Sequence, residues 1–411
     1  MPTAAVLALL AAATGPSLHR EVLPGGLELL VVPVEGASTA SLRYVIRSGS
    51  LSDPAGREGL AHLLEHLLIR GAPGEVGLIE EARASGATLN AYTSHQTTTY
   101  VLDAPAGAFG PLAERFLRAV TDPALPAAQV ERELDVVGRE ETGGGPGVFA
   151  FLENVLYRDD LPRGTTLGDG GSRRRVSRAD LLEFFRREYA TSNSAVVLTG
   201  AVSVESARQL LDRAFLLPPA LPGEYQPLVP ASPTLPVSEK LRSPRIAVVV
   251  GYALAPEDRP LCEPIARLAG LRAFLELSVH QPLASSVVVG CATFRGADFV
   301  MAMGAAPSLD ATELPEALER SLLQIASRPP SERERRQLTQ RGGRALDRLL
   351  QSPAALAEAL ANAAARPLDR QAEAERALQP PALPYDAMRA VARRAFLPER
   401  RVLIQLSPFE G

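Results

Sequence analysis

The chain has 411 residues, a formal charge of −4 and 46% apolar residues, which is too long for one small domain, suits two of roughly 200 residues each and excludes a disordered chain. Its longest basic run, Arg173–Arg175, is too short to track a phosphate backbone, so no nucleic-acid partner is expected. Lys240 is the only lysine, and the arginine-, alanine- and proline-rich composition reads as genomic bias.

Residues 1–16 open on an apolar stretch, Ala4–Thr14, long enough for a signal-peptide core, with Ala11-Ala12-Ala13 suited to cleavage. Met1-Pro2-Thr3 supplies no basic residue, so a cytoplasmic and an exported (periplasmic or secreted) protein both fit. No other segment reaches the roughly 18–20 uninterrupted apolar residues of a membrane span.

Residues 17–216 mix strands and helices. Leu27–Val34 and Ala40–Arg47 are Val-, Leu- and Ile-rich runs that predict neighbouring strands. Gly59–Ile69 predicts an apolar helix that stops before Gly71 and Pro73. Leu89–Thr93 and Thr97–Leu102 predict two further strands, followed by helices at about Pro111–Val120 and Ala127–Glu141 and a glycine-rich loop, Gly143–Gly147. Ser177-x-x-Asp180 is a capping box opening a helix that ends near Tyr189, and Ala195–Thr199 predicts a strand. Residues 217–236 carry seven prolines, which cannot continue a helix or a sheet interior, and predict an extended linker.

Residues 237–411 repeat the style. Strand Ile246–Tyr252, a helix from Pro260, strands near Ser286–Thr293 and Phe299–Met303 and further helices lead to helix Tyr385–Ala395 and strand Arg401–Leu406. Val391–Gln405 matches Phe184–Leu198: helix, an Arg-Arg pair, an aromatic residue, a turn and an apolar strand. The match predicts two domains of similar fold, each an α+β layer of mostly antiparallel sheet with helices packed against it, related by a pseudo-repeat. Cys262 and Cys291 lack C-x-x-C spacing; free buried thiols are expected, a single disulfide being the alternative.

The chain has five histidines, and two of them fall in His62-Leu63-Leu64-Glu65-His66. At about 100° per residue, His62, Glu65 and His66 share one stripe of a helix that is otherwise apolar. Two imidazoles and a carboxylate are costly there unless something satisfies them. A zinc ion does, since i, i+4 spacing lets both rings reach one metal. A catalytic zinc needs a third protein ligand, and Glu131, Glu133, Glu140 and Glu141 on the helix Ala127–Glu141 are all candidates by residue type. Of these, Glu133 and Glu140 lie two turns apart on one face.

H-x-x-E-H is the inverted zinc-peptidase signature, and the chain resembles the pitrilysin family, which includes insulin-degrading enzymes and mitochondrial processing peptidases. Leu23-Pro24-Gly25-Gly26-Leu27 resembles the family's opening Leu-Pro-Asn-Gly-Leu. Gly49-Ser50, Asn90-Ala91-Tyr92-Thr93-Ser94 with Tyr100, and Glu131–Glu140 match further family segments in order. The resemblance covers residues 20–215 well and 240–411 only in arrangement. It implies Glu140 as third metal ligand, Glu133 as a supporting acidic residue, one Zn²⁺ per chain, and Glu65 as general base on a zinc-bound water. It further implies that Asn90, Ala91, Tyr92 and Thr93 lie on a sheet edge that binds an extended peptide. His95 is expected as a surface residue in the following turn, with His19 and His280 incidental.

Related two-chain peptidases bind the substrate carbonyl through an Arg and a Tyr of the C-terminal domain. Leu277–Ser285 has no such pair. The resemblance therefore implies a dimer, with a homologous zinc-less subunit supplying Arg and Tyr, a homodimer being the alternative. The alternative from another class is a non-catalytic scaffold or assembly subunit; such relatives usually lose a motif residue, whereas His62, Glu65, His66 and Glu140 all stand here.

Overall fold

Apolar runs without polar alternation require sheets covered on both faces, and both sheets of this protein are. The computed structural model describes residues 17–70, 77–143, 148–157, 168, 170–215, 232–242, 246–306, 313–366, 370–379 and 382–407. Residues 1–16, most of the loop Gly143–Gly147 and most of the proline-rich stretch 217–236 lie outside these. In chain order the first half runs β1 (His19–Val22), β2 (Glu28–Pro33), β3 (Thr39–Ile46), α1 (Leu60–Arg70), α2 (Leu78–Ala84), β4 (Thr88–Thr93), β5 (Thr98–Pro105), α3 (Ala106–Thr121), α4 (Ala127–Gly143), α5 (Val148–Leu156), α6 (Gly170–Arg173), α7 (Arg178–Glu188), β6 (Ser194–Gly200) and α8 (Val204–Ala214). The second runs β7 (Val237–Arg242), β8 (Ala247–Leu254), α9 (Cys262–Phe274), β9 (Ser286–Phe294), β10 (Ala297–Ala305), α10 (Leu314–Ser327), α11 (Glu332–Gln351), α12 (Pro353–Ala364), α13 (Arg370–Ala377), α14 (Tyr385–Ala395) and β11 (Arg401–Ser407).

The first sheet has the order β1-β2-β6-β3-β5-β4 and the second β7-β11-β8-β10-β9. Leaving out β1, the two agree strand for strand. β2 is parallel to β6 as β7 is to β11, and the remaining neighbours are antiparallel in both. The short match between Phe184–Leu198 and Val391–Gln405 falls on α7–β6 and α14–β11, which occupy the same place in the two copies. The expected capping box is present, Ser177 and Asp180 each bonding the other's backbone N–H at the start of α7. Both units are thus α+β layers related by a repeat.

Strand residues alternate between faces. On the inner face of the first sheet, Leu29, Val31, Leu42, Tyr44, Ile46, Val196 and Leu198 pack with apolar residues of α1, α3, α7 and α8. On the outer face, Leu30, Val32, Val45, Ala195 and Val197 pack against Leu356, Ala357, Leu360 and Ala361 of α12. Arg43, 4% exposed on this outer face, bonds Asp103 (2.8 Å), Glu358 of α12 (3.0 Å) and the Ala354 carbonyl (3.2 Å). Gly200 leaves the space for the start of α12, since a side chain there would meet Pro353 and the Thr39 carbonyl.

The division expected at the proline-rich stretch is therefore changed in two places. One unit comprises residues 1–145, 164–227 and 346–379, and the other 146–163, 228–345 and 380–411. The C-terminal end of α11 with α12 and α13 completes the first unit. Reciprocally, Leu152 and Leu156 of α5, with Tyr157 just after it, pack on Val249, Phe299, Met301, Val402 and Ile404 of the second sheet. Each sheet's apolar outer face is covered by helices from the other half of the sequence. Among the described residues no helix is long and apolar enough to cross a membrane.

Two features of the second unit concern charge and sulfur. Cys262 of α9 and Cys291 of β9 form a disulfide, with Cα atoms 6.0 Å apart. This corrects the expectation of free thiols: α9 lies along β9, so residues 29 apart in sequence face one another. Arg272 of α9 and Glu334 of α11 form a buried ion pair at 2.8 Å. Burial works against ionisation of Glu334, but the Arg272 guanidinium and the N–H and hydroxyl of Ser331 outweigh it and hold the carboxyl down to about 2. A carboxyl lowered in the folded state contributes stability above its unfolded pKa, near 4.5, that is lost as pH falls through about 2. Glu334→Gln is therefore expected to cost on the order of 3 kcal/mol at neutral pH. The deficit against wild type should shrink as pH falls from 4.5 towards 2. Urea denaturation over that range checks it; a deficit independent of pH would contradict it.

Candidate metal centre

Helix α1 is oriented at both ends of its approach. The carboxylate of Asp53 accepts the N–H of Gly59 (2.7 Å) and of Ala61 (2.8 Å), satisfying donors at the helix start. Apart from His62 and Arg70, every residue of α1 is buried. Helix α4 packs against it through Val130 and Val137. Gln129 of α4 donates to the Leu67 carbonyl at 2.9 Å.

This packing brings the three expected ligands together. The coordinating atoms of His62, His66 and Glu140 all lie within 4.8 Å of one another. Glu140 Oε2 is 3.8 Å from His62 Nε2 and 3.5 Å from His66 Nε2. The fourth side chain of the motif, Glu65, is buried beside them but outside this set.

Glu133 is 1% exposed and lies 3.4 Å from His66 Nδ1. Arg70 and Arg132 each lie 3.5 Å from its carboxylate. Burial alone would raise its carboxyl, but His66 and the two arginines hold it below the usual range. With Nδ1 engaged by Glu133, His66 directs Nε2 at Glu140. Burial, with His66, Arg173 and Arg70 nearby, pushes His62 down to about 3, so its ring is neutral; its buried Nδ1 has no hydrogen-bond partner. Two imidazole nitrogens and a carboxylate oxygen thus converge, an arrangement that a cation satisfies and that zinc favours in donor type. The residues present fit the metal.

Among the described residues strand β4 is the edge of the first sheet, paired only with β5. Asn90 and Tyr92 point away from α1 and are exposed, whereas Ala91 and Thr93 point towards it. Thr93 Oγ1 donates to Glu65 Oε2 at 2.7 Å, and burial raises the Glu65 carboxyl despite this bond. On the other face the Tyr92 hydroxyl donates to Glu358 Oε1 of α12 at 2.6 Å. The Gly49-Ser50 pair is explained by the turn after β4. The Ser50 and Leu51 N–H groups donate to the Ser94 and His95 carbonyls (3.1 and 2.9 Å), and a side chain at Gly49 would collide with the Ser94 carbonyl.

The expected sites are thus brought together except that Tyr92 and Thr93 have partners of their own. His95 is 5% exposed, which corrects its reading as a surface residue: it is folded under the Gly49–Leu51 backbone. His19 and His280 sit near Glu21 and Glu276, and neither is in the group His62, His66 and Glu140. Sequence reasoning missed Glu358, whose partner lies 266 residues away, and no local signal marks it.

Comparison with known proteins agrees with this geometry. Residues 30–143 match the family Insulinase (Peptidase family M16). The chain is 27% identical over 206 residues to mitochondrial-processing peptidase subunit beta of Saccharomyces cerevisiae, covering 49% of this chain and 45% of that protein. It is 30% identical over 252 residues to coenzyme PQQ synthesis protein F of Pseudomonas aeruginosa, covering 58% and 32%. The chain spans less than half the length of these curated relatives. Among solved structures, a protease from Helicobacter pylori superposes with a TM-score of 0.77 at 18% identity, covering 96% of this chain and 100% of that one. A peptidase M16 inactive domain from Pseudomonas fluorescens gives 0.77 at 17%, covering 96% and 98%. These two likenesses show the fold. The match to the insulinase-like peptidase family M16 lies over β3, α1, β4, β5 and α4, the elements that build the cluster, so the part of the chain that resembles this family is the part that carries the candidate site.

Proposed function

We propose that this chain is a zinc-dependent endopeptidase subunit that hydrolyses extended peptides or unstructured segments. The observation that carries the proposal is the convergence of His62, His66 and Glu140, with Glu65 beside them and outside the ligand set. When bound, zinc polarises a scissile carbonyl and makes water acidic enough to ionise near neutral pH. Glu65 takes the proton of the attacking water and returns it to the leaving amine. Glu133 holds the His66 ring, as outer carboxylates do for metal-bound imidazoles. The open edge of β4 offers N–H and C=O groups to a peptide adding as a further strand, with side chains from Asn90 to Thr93 along it.

A dimer follows from the same reading, with a zinc-less homologue supplying the Arg and Tyr absent from Leu277–Ser285. One relative is itself described as a subunit. The Cys262–Cys291 disulfide favours the exported of the two localisations, since disulfides persist in oxidising compartments. A non-catalytic scaffold is the competing reading, and one structural neighbour is an inactive domain. The complete and converging motif here speaks for the enzyme.

The purified chain is expected to hold one zinc by elemental analysis and to run as a dimer in light scattering. Alone or with a co-expressed zinc-less homologue, it should cleave a quenched fluorescent peptide in a manner abolished by a chelator and restored by zinc. Metal-free protein, or hydrolysis insensitive to chelation, would overturn the reading; an active monomer would overturn its dimeric part.

A further inference from the structure

We infer that Thr93 is a positioning residue for the general base, fixing one oxygen of Glu65 so that the other faces the attacking water. The inference rests on the peptidase reading, which places Thr93 on the peptide-binding edge, and gives this residue a second task there. Thr93 has one hydroxyl proton and two oxygens within reach, Glu65 Oε2 at 2.7 Å and Thr98 Oγ1 at 3.5 Å. Thr98 gives its own proton to the Ser48 carbonyl at 3.0 Å. The short bond to Glu65 therefore takes the Thr93 proton. Among the described residues Glu65 Oε1 makes no hydrogen bond, so it is the oxygen left for proton transfer.

The strand that carries Thr93 is itself held from both sides. Its outer face is tied through Tyr92 to Glu358, which also accepts from Arg43. The turn beyond it is tied to the backbone at Ser50 and Leu51. Thr93 is thus a fixed donor, and its register partner Thr98 lies on β5, away from the free edge. A peptide adding to that edge would bind the same strand that orients the base, so that substrate position and base position share one frame.

Valine is nearly isosteric with threonine and equally suited to a strand, so Thr93→Val removes the donor and little else. It is expected to lower kcat roughly 10- to 100-fold with KM for a fluorogenic peptide and zinc content unchanged, while Thr93→Ser restores most of the rate. A readout independent of activity comes from crystal structures of the metal-free variants. The Glu65 carboxylate should leave its wild-type position or split between rotamers in Thr93→Val and keep one position in Thr93→Ser. A single unchanged Glu65 conformer in Thr93→Val, or a kcat within about two-fold of wild type, would overturn the inference. Glu65→Gln measured in parallel separates the two failures. An active Glu65→Gln enzyme overturns the general-base reading, whereas an inactive Glu65→Gln beside a fully active Thr93→Val overturns only the role of Thr93.

Discussion

Glu65→Gln is expected to keep its zinc and its fold and to lose turnover by at least roughly 10² to 10⁴. Glutamine fills the same buried space, and its amide oxygen can still accept from Thr93, so α1 is undisturbed. What the amide cannot do is take a proton from water. Among the described residues no nearby carboxylate replaces it: Glu140 belongs to the proposed ligand set, and Glu133 faces His66, Arg70 and Arg132. Elemental analysis and a peptide assay on the same preparation decide the matter. A zinc-loaded variant within about ten-fold of the wild-type rate would be incompatible with Glu65 as the base.

The second large effect concerns the metal itself. Glu140 is 42% exposed in its side chain, so Glu140→Gln should fold normally while losing the anionic member of the proposed ligand set, and zinc occupancy should fall steeply with activity. Glu133→Gln keeps all three ligands but loosens His66, and a weakening of about 10- to 100-fold in metal affinity is expected. Competition with a chromophoric chelator ranks the three proteins. Full zinc retention in Glu140→Gln would move the third ligand to another carboxylate of α4.

The helices and strands were largely legible because their periodicity is strong. The apolar run of α1, the Ser177–Asp180 capping box and the strands from β2 to β6 all follow from local pattern. The repeat was visible in fifteen residues because α7–β6 and α14–β11 perform the same packing task in each sheet. The proposed metal ligands on α1 were readable from spacing, while Glu140 needed the family pattern, since four glutamates on α4 are equivalent by composition. Pairings across distant chain segments were not legible. The apolar outer faces of the strands say that something covers them, but not that α12 does. The Tyr92–Glu358 bond, the Cys262–Cys291 disulfide and the burial of His95 depend on that kind of long-range placement.

The exchange of covering helices bears on how such a chain can be inherited. Residues 17–216 by themselves would turn Leu30, Val32, Val45, Ala195 and Val197 to water, and residues 237–411 would do the same with Val249, Phe299, Met301, Val402 and Ile404. A gene rearrangement that deletes or transplants one copy of the repeat therefore damages two folds at once. A break in the backbone between the copies leaves every part of both folds present. The pair is the heritable unit, even though each sheet carries the whole strand order within a single copy.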